Sequence, residues 1–489
     1  MTLDPTGHPY RTGSHDLPVS PALESFMGSG WAATPLPADR RVPAHGLTGA
    51  RRARLAAAFP GERLIVPAGQ LKVRSNDCDF RFRPHSGYAW LTGLTGEEQV
   101  GHVLVVEPTG EAVLYLRPRS PRGGDAYGSE FYRDRRYGEF WVGRRHDLDE
   151  AARETGLATR RLDTLGQLLT GPQPPTRVLA DVDPELDEAT GRPGDPDAAF
   201  RDARLAARLS ELRLVKDAWE VAQLQLAVDH TVSGFEDAVR ALPEALRQPR
   251  GERWIEGTFD RRARADGNGT GYETIAASGA HACVLHWIRN DGPLDPGQLL
   301  LLDAGVETDT LYTADITRTL PIGGTFSPLQ RQVYELVLAA QSAGIATLRP
   351  GARFRDFHRA AMRVIAEGLA DWGVLPVPAE EALREDSGLF RRWTLCGSGH
   401  MLGLDVHDCA KARAETYLDG ILTEGQVLTV EPGLYLQPDD ETLPAELRGI
   451  GVRIEDDLVI TADGARLMSG ALPRTVAGIE EWMGALLDR

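Results

Sequence analysis

Two aspartates of this chain stand where a folding protein ordinarily avoids charge. Asp303 follows a run of four leucines, and Asp315 lies in the β-prone run 312–320. We expect both carboxylates to lie in or beside a hydrophobic core. An ionised carboxylate in such a place needs a compensating cation or a hydrogen-bond network, because otherwise its pKa rises and the group becomes neutral. The two aspartates therefore predict a cation-binding site.

Further polar side chains interrupt apolar or glycine-flanked segments of the same half of the chain. They are His286 in CVLHWIRN, His400 and His407 in GSGHMLGLDVHD, Glu431 in VLTVEPGLY and Glu455 in GVRIEDDLVI. Each of them alone is more simply explained as a hydrogen-bonded or paired residue of the core. Together with the two aspartates, however, they form a set of carboxylates and imidazoles that is typical of a metal site.

This set of side chains selects among metals. Carboxylate oxygens with imidazole suit Mn²⁺, Co²⁺ or Zn²⁺, whereas thiolates would favour zinc or iron–sulfur clusters and oxygen atoms alone would favour calcium. Four carboxylates offset roughly the charge of two divalent ions. Two such ions about 3.5–4 Å apart can share a carboxylate and a water molecule, which ionises to hydroxide near neutral pH. The residues therefore predict a hydrolase centre with two divalent metal ions.

The order of these residues resembles that of the pita-bread metallopeptidases, and within them the aminopeptidase P family. The motifs are LLLDAG, ADITRT, GSGHMLGLDVHD, TVEPGLY and GVRIEDD, and the resemblance extends over about residues 50–480. The segment RSNDCDFRFRPHSGYAWLTGLTG is similar to the creatinase-type N-terminal domain of that family, and GYETIAASGAHACVLHWIRND to the approach to its first active-site histidine. The implied fold class is α/β or α+β, with a creatinase-type N-terminal α/β domain followed by a pita-bread catalytic domain.

The same resemblance implies which residues bind each of the two metal ions. Asp303 would chelate one metal ion, and Asp315 and Glu455 would bridge the two ions. His400 and Glu431 would complete the coordination of the other ion. The implied metal is Mn²⁺, with Co²⁺ and Zn²⁺ as alternatives.

The reaction implied is hydrolysis of the bond between an N-terminal residue and a penultimate proline by the metal-bridging hydroxide. Glu431 would carry the proton to the proline nitrogen, which must be protonated to leave. His286 and His407 would donate hydrogen bonds to the substrate carbonyl and to the tetrahedral intermediate. Arg453 stands two residues before Glu455, on the same strand face, and is a candidate to orient the ligands.

Two alternatives stay open. A prolidase, which cleaves only Xaa-Pro dipeptides, would share every ligand, whereas a non-catalytic pita-bread module that binds peptides would be expected to lack some of them. A dipeptidase must also hold the free proline carboxylate, usually with a cation. The motif segments offer no arginine for this, although Arg289 and Arg413 remain candidates. We therefore expect cleavage of Xaa-Pro-Yaa tripeptides and longer peptides.

One position departs from the family's pattern. Cys396 stands four residues before the metal-binding His400, where His or Ala is usual. Because every ligand is retained, we expect this small thiol to shape the wall of the pocket and not to remove activity.

The elements that must position these residues form two predicted domains after an N-terminal extension. Residues 1–50 are rich in Pro, Gly and polar residues and predict an extended arm. In the N-terminal α/β domain, residues 51–204, the apolar runs RLIVPA, YAWLTGL, GHVLVVEP and EAVLYLRP alternate with helical or loop segments, which indicates a mixed sheet. The catalytic domain, residues 205–489, opens with one long amphipathic helix (LSELRLVKDAWEVAQLQLAVDHTVSGFEDAVRAL) and has further helices over 328–347 and 354–372.

Composition limits the class of partner. The chain of 489 residues has 54 Lys and Arg against 71 Asp and Glu, a formal net charge of −17. Since no basic run breaks this acidic balance, nucleic acid is not an expected partner. There is no apolar targeting segment and no run of about 18 apolar residues, so a cytoplasmic protein without a membrane partner is expected. The resemblance further implies a closed homodimer or homotetramer.

The cysteines do not indicate a disulfide framework or a zinc site. Cys78, Cys283, Cys396 and Cys409 lie far apart and without CxxC spacing. We expect four free thiols.

Overall fold

The computed structural model describes residues 20–76, 78–122, 130–170 and 173–487, to which every structural statement below refers. The helices are α1 (Pro21–Met27), α2 (Thr48–Ala57), α3 (Ser86–Thr92), α4 (Glu130–Arg133), α5 (Glu139–Val142), α6 (Leu148–Thr155), α7 (Leu165–Leu168), α8 (Pro184–Ala189), α9 (Pro196–Arg213), α10 (Ala218–Ala245), α11 (Gly251–Asp266), α12 (Pro328–Ile345), α13 (Arg355–Asp371), α14 (Ala379–Ala382) and α15 (Val476–Leu487). The strands are β1 (Arg63–Pro67), β2 (Val73–Ser75), β3 (Cys78–Asp79), β4 (Val103–Val106), β5 (Ala112–Leu116), β6 (Ala158–Arg161), β7 (Thr176–Val178), β8 (Gly269–Thr270), β9 (Ile275–Ser278), β10 (Leu299–Ala304), β11 (Val306–Glu307), β12 (Ile316–Pro321), β13 (Val427–Val430), β14 (Gly433–Leu436), β15 (Ile450–Arg453), β16 (Asp456–Ile460) and β17 (Ala465–Leu467).

The N-terminal part is built on a five-stranded sheet in the order β6-β5-β4-β1-β7. Strands β1, β4 and β5 pair antiparallel, whereas β7 joins β1 and β6 joins β5 in parallel. The predicted mixed sheet is confirmed. Three of the four apolar runs form its strands β1, β4 and β5.

The fourth run, YAWLTGL, lies in helix α3 and is not a strand. His85 caps this helix by accepting the backbone N–H of Gly87, and Gly93 ends it in the left-handed conformation at φ 76°. Every residue of α3 is buried. A short apolar run that is buried on all sides has no polar positions to show its period, so strand and helix cannot be distinguished from the pattern.

The long helix predicted at the start of the catalytic domain is in fact two helices, α9 and α10. The break follows from Asp217, whose side chain accepts the N–H of Glu220 while the Glu220 carboxylate accepts the N–H of Asp217. This capping box starts a new helix, although the apolar spacing continues across the break. Helix α9 is itself continuous across residue 205, where the sequence places the start of the catalytic domain.

The C-terminal part contains the three-stranded sheets β12-β10-β9 and β13-β16-β17 and the pair β14-β15. Helices α12 and α13, which confirm the helices predicted over 328–347 and 354–372, pack against each other beside these strands. The main hydrophobic core is shared with the N-terminal part, since it includes Leu64 of β1, Leu209 of α9, Leu224 of α10 and Leu300 of β10.

The predicted N-terminal arm falls partly on residues 1–19, which lie outside the described residues. In the remainder, α1 and the first turn of α2 interrupt otherwise irregular chain. Cys283, Cys396 and Cys409 are free thiols, as predicted. Among the helices that the structure describes, none is long and apolar enough to cross a bilayer.

Candidate metal centre

Strand pairing gathers the predicted site residues around one cavity of about 250 Å³. Asp303 lies on β10 and Asp315 directly precedes β12, which pairs antiparallel with β10. The cavity is lined by all the predicted residues: His286, Asp303, Asp315, His400, His407, Glu431, Arg453 and Glu455. Residues far apart in the chain therefore share one site.

The two aspartates are joined by a tyrosine that the sequence analysis missed. The Tyr272 hydroxyl lies 2.6 Å from Asp303 Oδ1 and 2.5 Å from Asp315 Oδ1. Burial and the charges of both carboxylates raise the pKa of Tyr272 well above its usual value, so the phenol keeps its proton. The available signal was position, because Tyr272 stands just before β9, the strand that pairs with β10.

His400 presents its Nε2 atom to the carboxylates. This atom lies 3.2 Å from Asp315 Oδ2 and 3.4 Å from Glu431 Oε1, while Nδ1 faces the carbonyl oxygen of Met401 at 3.1 Å. Burial alone would lower the pKa of His400, yet Asp315 and Glu431 raise it to about 9. In the metal-free protein the imidazole is thus a cation, and binding a metal through Nε2 would displace its proton.

Glu455 is the most strongly buried of the four predicted ligand carboxylates, with 1% of its surface exposed. Thr317 donates to one oxygen at 2.7 Å, whereas Oε1 is buried without a hydrogen-bond partner. Burial, together with the charges of Asp315 and Glu431, raises the pKa of Glu455 well above its usual value. A buried carboxylate oxygen without a donor is costly to keep and indicates a site for a cation.

Arg453 neutralises part of this negative charge. Its guanidinium lies 2.5 Å from Asp303 Oδ2, 2.9 Å from the Tyr435 hydroxyl and 3.1 Å from Thr317 Oγ1. Because Thr317 also donates to Glu455, Arg453 contacts Asp303 directly and Glu455 through Thr317. Each of its three nitrogen atoms thereby has a partner within the site.

The carboxylates of the site outnumber its cations, and divalent metal ions would balance the excess negative charge. Asp315, His400 and Glu455 each offer a ligand atom, and these atoms lie within 4.8 Å of one another. Oxygen ligands with one imidazole match the preference of Mn²⁺, Co²⁺ and Zn²⁺. The donor set and the unpaired oxygen of Glu455 are therefore consistent with a metal centre.

The two other histidines line the same cavity. The ring of His407 packs edge-on against that of His400, with 4.4 Å between ring centroids. Burial and the charge of His400 lower the pKa of His407, so this imidazole is neutral and can donate one N–H. Cys396 and Tyr435 also line the cavity, and burial together with Glu431 raises the pKa of the Cys396 thiol.

Asp457 holds the backbone of Asp315, and the sequence analysis missed this residue too. Its Oδ2 accepts the backbone N–H of Asp315 at 3.1 Å, and its Oδ1 is buried without a partner. Burial and the charge of Asp315 raise the pKa of Asp457 well above its usual value. The segment IEDD contained the signal, since Asp456 and Asp457 continue the acidic run within a buried strand.

Family profiles match both parts of the chain. Residues 223–462 match metallopeptidase family M24, and residues 49–171 match the family described as aminopeptidase P, N-terminal domain. The order of the two matches is that expected from the sequence motifs.

Individual relatives cover nearly the whole chain. Xaa-Pro aminopeptidase 1 of Streptomyces coelicolor is 54% identical over 96% of this chain and 93% of its own length. Xaa-Pro aminopeptidase 2 of the same organism is 50% identical over 95% of this chain and 96% of its own length. The structure of aminopeptidase PepP from Pseudomonas aeruginosa superposes with a TM-score of 0.78 at 31% identity, covering 92% of this chain and 100% of that one. The chain therefore belongs to metallopeptidase family M24 and, within it, to the aminopeptidase P family.

Proposed function

We propose that this chain is a metal-dependent Xaa-Pro aminopeptidase, which hydrolyses the bond between an N-terminal residue and a penultimate proline. The observation that carries this proposal is the cavity lined by Asp303, Asp315, His400, Glu431 and Glu455, in which the Oε1 atom of Glu455 is buried without a hydrogen-bond partner. The names of the curated relatives supply the substrate class.

The proposed ligands of two divalent ions are Asp303, Asp315, His400, Glu431 and Glu455. Mn²⁺ is the proposed metal, with Co²⁺ and Zn²⁺ as alternatives. Such ions would supply a Lewis acid and a water molecule that ionises near neutral pH. Tyr272 and Arg453 would hold the ligand oxygens in place, since each contacts Asp303 and a second residue of the site.

Glu431 is proposed to carry the proton. Its side chain is 18% exposed, so it faces the cavity, and burial with the charge of Asp315 raises its pKa. A carboxylate that lines the cavity can accept a proton from the attacking water and release it to the proline nitrogen. His407 and His286 are proposed to donate hydrogen bonds to the substrate carbonyl as negative charge develops there.

The prolidase alternative requires a cation for the free carboxylate of a dipeptide. Arg453 is the only arginine or lysine in the described lining of the cavity, and each of its three nitrogen atoms already donates within the site. Arg289 pairs with Asp291 and Arg413 with Glu211, and neither lines the cavity. This arrangement supports cleavage of longer peptides over dipeptides.

The deciding assay compares kcat/KM for Ala-Pro and Ala-Pro-Ala with the Mn²⁺-loaded protein. We expect a clear preference for the tripeptide and poor cleavage of Ala-Ala-Ala. A preference for the dipeptide would assign the chain to the prolidases, and no metal-stimulated cleavage of either would favour a binding module.

The larger organisation stays a prediction as well. We propose an N-terminal extension (1–50), a creatinase-type domain (51–204) and a pita-bread domain (205–489), with α9 connecting the two domains. A closed homodimer or homotetramer and a cytoplasmic location are proposed on the family resemblance. Light scattering of the active protein at micromolar concentration tests the oligomeric state.

A further inference from the structure

The segment that carries His407, residues 402–409, contains neither helix nor strand. Its conformation therefore depends on contacts made from other parts of the molecule. One set of these contacts comes from the N-terminal domain, and a second set comes from Arg213. Since His407 has to be placed accurately to donate to a substrate, both sets of contacts bear on the reaction.

Arg83 reaches this segment from the N-terminal domain. Its Nη2 atom lies 2.5 Å from the carbonyl oxygen of Leu404, while Nε pairs with Glu307 Oε2 at 2.6 Å. The guanidinium also donates to Ser86 Oγ at 3.0 Å. The Arg83 side chain thus links the N-terminal domain to Glu307 in strand β11 and to the backbone of Leu404, three residues before His407.

Ser86 makes a second contact on the same side. Its hydroxyl lies 2.5 Å from Asp405 Oδ1, and Arg83 lies 3.5 Å from that oxygen. From the other direction, Arg213 pairs with Asp405 and Asp408. The segment is therefore held on both sides of His407.

We propose that Arg83 is a positioning residue of the reaction, through which the N-terminal domain holds segment 402–409 and keeps His407 in place in the cavity. This inference rests on the proposed function, in which His407 donates to the substrate. It gives the N-terminal domain a part in turnover within its own chain, although the domain contributes no proposed ligand.

A matched control is available two residues away. Arg81 also crosses to the catalytic part, since it donates to the carbonyl oxygen of Asn268 at 2.8 Å and pairs with Glu97 at 2.6 Å. It makes no described contact with segment 402–409. Arg83→Ala and Arg81→Ala therefore both remove a contact between domains, but only Arg83→Ala releases the segment.

The test measures kcat and KM for Ala-Pro-Ala in the full-length, Mn²⁺-loaded variants, with metal content and thermal unfolding. We expect Arg83→Ala to lower kcat about 10- to 100-fold with metal content retained. Arg83→Lys should recover part of this loss, and Arg81→Ala should stay within about 2-fold of the parent. In a His407→Ala background, adding Arg83→Ala should change kcat by less than about 3-fold, because the group that it positions is gone.

Several outcomes would overturn the positioning role. They are losses that multiply in the double variant, an equal loss in Arg81→Ala, and loss of metal from Arg83→Ala. If Arg83→Ala does not fold, Ser86→Ala removes the hydroxyl that donates to Asp405 and accepts from Arg83, and its loss of kcat should likewise vanish in the His407→Ala background. Full turnover in Arg83→Ala contradicts this inference alone, whereas full turnover in His407→Ala contradicts the proposed role of His407 and the inference together.

Discussion

Two clusters of mostly buried charged groups lie near segment 402–409 and differ in their balance of positive and negative charge. The ligand cluster consists of Asp303, Asp315, His400, Glu431 and Glu455. The balanced cluster consists of Arg213, Lys216, Asp405 and Asp408. In the balanced cluster each carboxylate faces a cation, with Lys216 Nζ 3.0 Å from Asp408 Oδ2. In the ligand cluster the carboxylates outnumber the cations and one oxygen has no partner.

The pKa shifts of the two clusters run in opposite directions. Burial opposes ionisation in both, but Arg213 and Lys216 overcome it and hold the pKa of Asp408 well below its usual range. Burial and neighbouring carboxylates raise the pKa of Glu455. Burial of charge is thus not by itself a mark of a functional site, whereas burial without compensation is.

The largest effect is expected from removing a proposed metal ligand from the ligand cluster. Asp315→Ala should abolish peptidase activity and metal binding, because Asp315 contacts both His400 and Tyr272. Chelation of the parent protein should have the same effect on activity. Turnover assays and metal analysis measure both, with about two ions per chain expected for the parent.

The control for that variant is Asp309→Ala, which changes an exposed aspartate close to the same strands. It should retain activity and metal. A fully active Asp315→Ala protein would refute the assignment of the ligand cluster.

A substitution at the edge of the ligand cluster separates binding of metal from turnover. His407→Ala should lower kcat by on the order of 10²- to 10³-fold, as expected for a lost donor to the developing negative charge. Metal content should stay unchanged, since among the histidines that the structure describes only His400 pairs with the ligand carboxylates. If metal were lost in proportion to activity, His407 would have to be a ligand.

A substitution in the balanced cluster should lower the stability of the protein. Asp408→Asn leaves Lys216 and Arg213 buried beside a neutral amide, and we expect a loss of about 3–5 kcal/mol in the free energy of unfolding. Urea unfolding of the metal-free variant and parent measures this loss. Glu244→Gln, which breaks the surface pair with Arg247, should leave the unfolding midpoint unchanged. An Asp408→Asn protein as stable as the parent would show that the cluster is not structural.

The smallest expected effect is the pH dependence of the metal-free protein. The raised pKa values of Glu455 and Glu431 mean that their contribution to stability is present below about pH 4 and is lost as the pH rises through their folded-state values. For each proton that is released on unfolding, the free energy of unfolding falls by about 1.4 kcal/mol per pH unit. The melting temperature of the metal-free parent should therefore fall as the pH rises, and Glu455→Gln should weaken that dependence.

The balanced cluster should show the opposite sign. Because the pKa of Asp408 is lowered, its stabilising contribution is present above about pH 4 and is lost only as the pH falls below that value. Melting curves from pH 3 to 8 compare the two clusters in one experiment. A Glu455→Gln protein with the parent's pH dependence would contradict the excess of negative charge at the ligand cluster.

The sequence by itself predicted the residues and the chemistry of the candidate site. A carboxylate after four leucines or within a buried strand stands out locally, because burying an unpaired charge costs more than one position can offset. The helices over 328–347 and 354–372 were predictable for a similar reason, since a half-buried helix shows its 3.6-residue period. The mixed sheet followed from short apolar runs.

Patterns without a visible period were misread. YAWLTGL is buried on every side, so its helix α3 carries no alternation of polar and apolar residues. The break between α9 and α10 depends on one capping box, which the continuing apolar period conceals.

Only the tertiary structure decided which side chains support the site. Tyr272 reaches aspartates 31 and 43 residues away, and Arg83 reaches the carbonyl oxygen of Leu404 across 321 residues. A tyrosine before a strand or an arginine in a loop has nothing unusual in its local sequence. Its partner is set by strand register and by the packing of the two domains, and these depend on contacts throughout the core that no local window of sequence contains.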